Sequence, residues 1–114
     1  MANPVGHFEI MVTGDVDRIR KFYAEAFGWK IDASNPMNYG LVDTGSGIGG
    51  GIAKPMQGPG YVTVYVEVAD VQKALDKIVS LGGTTLMPPM DVPNGPKIAM
   101  FKDPAGSVIG LMKR

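Results

Sequence analysis

Residues 5–13, VGHFEIMVT, alternate. Phe8, Ile10 and Val12 fall on one side of an extended chain, and His7, Glu9 and Met11 on the other. A period of two with large apolar groups on one side predicts a strand with one face in a core. The period then changes. After Asp15, a candidate N-cap, Val16, Ile19, Phe22, Tyr23 and Ala26 recur at helical spacing. Arg18, Arg20, Lys21 and Glu25 are assigned to the outer side, and Gly28 to the stop. Short strands are predicted at 29–32, 39–43 and 48–54, the first two separated by Ser34-Asn35-Pro36 turn chemistry. The triple glycine 49–51 lacks the Lys-Ser/Thr of a phosphate loop and reads as strand glycines.

PMQGPG, residues 55–60, reads as a linker, and then the pattern restarts. Residues 61–69 alternate, with Val62, Val64, Val66 and Val68 opposite Thr63, Tyr65 and Glu67. Asp70 is a second N-cap candidate, and Val71, Ala74, Leu75, Ile78 and Val79 form an amphipathic helix closed by Gly82-Gly83. Strands at 84–87, 97–102 and 107–113 complete the half, with a loop over 88–96. Both halves read β-α-β-β-β, a repeat of about 55–60 residues. An overlay of 39–54 on 99–114 sets Asp43 on Asp103 and Gly50 on Gly110. The expectation is an α+β chain of one domain, 1–114, with modules 1–54 and 61–114. Each sheet face not covered by a helix would supply half of a shared concavity, lined by His7, Glu9, Thr63 and Tyr65.

Composition narrows the chemistry. Lys plus Arg and Asp plus Glu number 11 each, so no basic footprint points to nucleic acid. There is no cysteine, which excludes disulfides, zinc ribbons and thiol nucleophiles. The absence of a signal-like start and of a long apolar run makes a cytoplasmic protein, with no membrane partner, the default expectation. His7 is the single histidine. Beside Glu9 it offers an acid–base pair, the two being weak catalytic candidates. Trp29, Tyr39, Tyr65, Met11, Met37, Met87 and Met100 are candidate apolar lining.

HFEI, FYAEAFGW, VYVEVADVQKALDKIVSLGG and above all FKDPAGSVIGL resemble the vicinal oxygen chelate superfamily, which holds glyoxalase I, bleomycin- and fosfomycin-resistance proteins and extradiol dioxygenases. The resemblance implies paired βαβββ modules forming a U-shaped open barrel, commonly as a homodimer. It also implies a divalent metal held by His and Glu side chains at four strand positions. These positions fall here on His7, Gly50, Thr63 and Gly110, of which only His7 is a ligand. A catalytic divalent ion needs about three protein ligands, so no metal cofactor is expected. The resulting expectation is a protein that binds a small organic molecule through His7, Glu9, Tyr39, Thr63, Tyr65 and Met100, its metal site degenerate. The alternative is a glyoxalase-type lyase or isomerase using His7 and Glu9, either metal-free or with a relocated ion, for instance on His7, Glu9 and Glu67. Whether the chain is an enzyme stays open at this point.

Overall fold

A computed structural model describes residues 2–114. The chain runs β1 (Val5–Met11), α1 (Val16–Phe27), β2 (Lys30–Asp32), β3 (Gly40–Asp43), β4 (Gly49–Ala53), β5 (Tyr61–Val68), α2 (Val71–Ser80), β6 (Thr84–Asp91), β7 (Lys97–Lys102) and β8 (Val108–Lys113). Each half is therefore βαβββ. Packing divides the chain into two units, one of His7–Val62 and one of the segment up to Gly6 with Thr63–Arg114. The start of the chain joins the latter because the Glu67 N–H donates to the Pro4 carbonyl at 2.8 Å. No helix among the described residues is long and apolar enough to cross a membrane.

In the His7–Val62 unit the strand order is β2-β3-β4-β1. β1 and β4 are parallel, with Phe8 opposite Gly50, Glu9 opposite Gly51 and Ile10 opposite Ile52. One sheet face meets α1. Val16, Val42 and Ile52 are buried there, packed by Phe8, Ile10, Ile19, Tyr23, Trp29 and Ile31. Trp29, a lining candidate in the sequence, is instead a core anchor. Its ring stacks on Tyr23 at 5.6 Å between centroids, the planes 7° apart. The Asp15 carboxylate accepts from the Arg18 N–H at 3.1 Å to start α1, and Gly28, left-handed at φ 72°, ends it.

The inward stripe of α1 differs from the one assigned to it. Arg20 is buried, at 6% exposure, and Phe22 is exposed at 59%. Val16, Arg20 and Tyr23 lie three and four residues apart, so they share a face, while Phe22 falls outside it.

The Thr63–Arg114 unit orders its strands β5-β8-β7-β6. Val68, Val71, Leu75, Ala99 and Leu111 form its core, flanked by Val66, Ala74, Ile78 and Phe101. Asp70 caps α2 by accepting from the Lys73 N–H at 3.0 Å. The segment expected to loop from residue 88 stays extended, and β6 runs through Pro88 and Pro89 to Asp91. β6 is the edge of this unit's sheet, and its register with β7 shifts between Met87 and Met90, so the two prolines sit where the ladder is already irregular.

Candidate functional site

Because side chains alternate along a strand, the residues of β1 that do not face α1 are His7, Glu9 and Met11. On the same side of β4 lie Gly49 and Gly51, opposite His7 and Glu9. The missing side chain of Gly51 leaves a gap, and the Tyr39 phenol fills it: a Cβ on Gly51 would fall on the phenol itself. The Tyr39 hydroxyl donates to Glu9 Oε2 at 2.8 Å and lies 2.8 Å from His7 Nε2. A phenol has one proton. Since it goes to Glu9, Nε2 is the protonated nitrogen of His7 and donates to the phenol oxygen. His7, Tyr39 and Glu9 thus form one hydrogen-bonded chain on the face turned away from α1.

Glu9 is 6% exposed. The Tyr61 phenol, at the start of β5, also bonds to it, and burial together with the Glu9 charge raises the Tyr61 pKa above its ordinary value. Burial lowers the His7 pKa, and the Glu9 charge opposes that shift in part. The imidazole is therefore neutral near pH 7. Tyr61 was not singled out from the sequence, although its alternation with Thr63 and Tyr65 marks its side of the strand.

The corresponding face of the other unit is built differently. The Tyr65 ring covers Gly110, where an added Cβ would collide with it. Gly110 pairs with Met100, and Met100 with Met87. Tyr65 and Met100 are buried at 5% and 7%. The Thr63 hydroxyl, also buried, donates to the Val108 carbonyl at 2.7 Å. Met37 is exposed, on the stretch between β2 and β3.

Gly50 requires a correction. It pairs with Phe8, whose ring would lie 2.5 Å from an added Cβ, so it belongs to the α1 side of the sheet. The β4 positions beside His7 and Glu9 are Gly49 and Gly51. The core pairs Ile10–Ile52 and Val66–Leu111 set the true overlay of the two units, in which Gly51, not Gly50, answers Gly110.

These residues do not fit a divalent ion. His7 Nε2 and Glu9 Oε2 are both engaged by Tyr39. The spaces beside Gly51 and Gly110 are taken by tyrosine rings. Among the described residues no three His, Cys, Asp or Glu side chains converge to hold a metal.

A family model described as Glyoxalase/Bleomycin resistance protein/Dioxygenase superfamily matches residues 5–111. Proteins of Mycobacterium bovis and Mycobacterium tuberculosis bearing the name "Putative glyoxylase CFP32" are 30% identical over 109 residues, 87% of this chain. The chain spans 41% of the length of these relatives. Among solved structures, the hypothetical protein BH1468 of Bacillus halodurans superposes with a TM-score of 0.79 at 12% identity, over 100% of this chain and 96% of that one. A glyoxalase/bleomycin resistance protein/dioxygenase superfamily member of Vibrio splendidus superposes with a TM-score of 0.67 at 12% identity, over 99% and 100%. At such identities the structures speak for the fold alone.

Proposed function

The chain belongs to the glyoxalase/bleomycin resistance protein/dioxygenase superfamily, and on that premise we propose that it binds a small organic molecule, without a metal, on the face of β1 that carries His7 and Glu9. The observation behind this reading is the chain of bonds from His7 through Tyr39 to Glu9. It lies on the face opposite the one on which α1 packs. Keeping a histidine and a glutamate largely out of water costs free energy. A ligand that exchanges hydrogen bonds with these groups gives that cost a use, and Met11 beside them adds an apolar contact.

A second reading is favoured by one feature, the neutral imidazole tied through a phenol to a carboxylate. That arrangement suits metal-free general acid–base chemistry, with His7 accepting a proton.

The test is a thermal-melt screen of aromatic and apolar organic compounds, run with chelator and again with Zn, Ni, Mn or Fe. A ligand at 100 times its Kd adds about 2.7 kcal/mol, a rise in Tm on the order of 10 °C for a chain of this size. The expected result is a shift that survives chelator and shrinks in Tyr39→Phe. Stoichiometric metal in protein purified without chelator, with a metal-induced shift lost in His7→Ala, overturns the metal-free reading. Turnover lost in His7→Ala while ligand binding persists selects the acid–base reading.

A further inference from the structure

Arg20 is a charged side chain at 6% exposure on a helix whose other inward residues are apolar. Burying a guanidinium is costly unless its donors meet fixed acceptors. Here they do. Nε donates to the Ile52 carbonyl at 2.9 Å, and Nη2 to the Asn38 carbonyl at 2.8 Å. Nη1 reaches Asp17 at 3.3 Å, but that carboxylate is 88% exposed and the pair contributes little. The two carbonyls are the partners that matter. One belongs to β4, next to Gly51, and the other to the residue before Tyr39.

A second clip closes on Tyr39 itself. The Asn35 side chain accepts from the Tyr39 N–H at 2.9 Å and donates to the Tyr39 carbonyl at 2.7 Å. Asn38, between them, takes the left-handed conformation at φ 50° that asparagine tolerates. Gly40 follows, and a Cβ there would lie 2.6 Å from Arg20 Nε, so the arginine reaches its carbonyls only because this residue is glycine. Arg20, Asn35, Asn38, Gly40 and Gly51 all bear on where one phenol sits.

We propose that Arg20 and Asn35 are positioning residues of the site: together they lock the stretch between β2 and β3 so that the Tyr39 phenol stands between His7 and Glu9. This rests on reading that face as the binding site. It supplies the rigidity such a face needs, since a hydroxyl displaced by about 1 Å no longer makes both bonds.

The test is made on the ligand-free protein and so stands apart from any ligand screen. His7 is the single histidine, so a long-range proton–nitrogen NMR spectrum of labelled protein reports its tautomer and ring-proton exchange without ambiguity. The wild type is expected to show the Nε2–H tautomer with a slowly exchanging ring proton. Tyr39→Phe provides the reference for its loss. Arg20→Met and Asn35→Ala are expected to speed that exchange at least about tenfold and to mix the tautomers, with helix and strand signals kept. Arg20→Lys should restore part of the protection, and Lys21→Met, an exposed neighbour on the same helix, should change nothing. A folded Arg20→Met or Asn35→Ala protein that keeps the wild-type signature overturns the proposal. Should Arg20→Met fail to fold, Asn35→Ala, which leaves the core untouched, decides alone. A compound that binds while the signature is insensitive to both variants leaves the binding reading in place and removes the clamp.

Discussion

Tyr39 does two separable things: its ring fills the space beside Gly51, and its hydroxyl joins His7 to Glu9. Tyr39→Phe keeps the first and removes the second. With Glu9 at 6% exposure, losing a donor to a buried acceptor should cost about 1–3 kcal/mol, read as a lower midpoint in urea with an unchanged slope. Gly51→Ala attacks the first, since the new methyl occupies the place of the phenol. Overpacking of this kind costs about 1–3 kcal/mol, and it should also erase the His7 ring-proton signature. A Gly51→Ala protein as stable as wild type would mean that the phenol rests elsewhere. The sequence made His7 and Glu9 visible as a pair because strand alternation is a local rule. Gly51 was invisible, because three successive glycines carry no side chains to say which one faces which way, and a one-residue slip reverses every assignment.

Among the elements, the helices were legible where a local signal ends or starts them. Asp15 and Asp70 each receive an N–H three residues on, at 3.1 and 3.0 Å. Asp15→Ala and Asp70→Ala should each cost about 0.5–2 kcal/mol, while the Asn variants should lie within a few tenths of wild type. Equal losses in the Ala and Asn variants would show that charge near the helix end, rather than the cap bond, is at work. What hydropathy could not convey is a polar residue turned inward for its hydrogen bonds. Arg20 has the spacing of an inward residue and the composition of an outward one, and only the carbonyls of Ile52 and Asn38 explain its place. Pro88 and Pro89 misled in the opposite sense. They read as loop, yet an edge strand whose register shifts at that point accommodates them.

At the scale of the whole molecule, the repeat was readable because both halves must bury an apolar strand face beneath one helix. The divergence between the halves was not readable, since it lies on the faces the helices leave uncovered. One unit places His7, Tyr39 and Glu9 there, and the other a row of Tyr65, Gly110 and Met100, all buried, ending on half-buried Met87. The first arrangement makes folding sensitive to pH in a defined direction. His7 has a folded-state pKa below its unfolded value of about 6.5, by burial against the pull of Glu9. As pH falls below about 6.5 the unfolded chain takes up a proton that the folded chain resists, so stability is lost toward acid and is fully present above that value. With one histidine in the chain, the interval from pH 7.5 to 5 isolates this group from the exposed carboxylates. The slope is bounded at about 1.4 kcal/mol per pH unit for one proton. Tyr61 acts at the other limb. Its pKa is raised from about 10, so its contribution is present below that pH and is lost as pH climbs through the folded value. Denaturation midpoints measured across both limbs should fall at each end. His7→Gln should flatten the acid limb alone, and Tyr61→Phe the alkaline limb alone. An acid slope that persists unchanged in His7→Gln would place the titrating group elsewhere than His7 and remove the argument that this imidazole is held neutral by its burial.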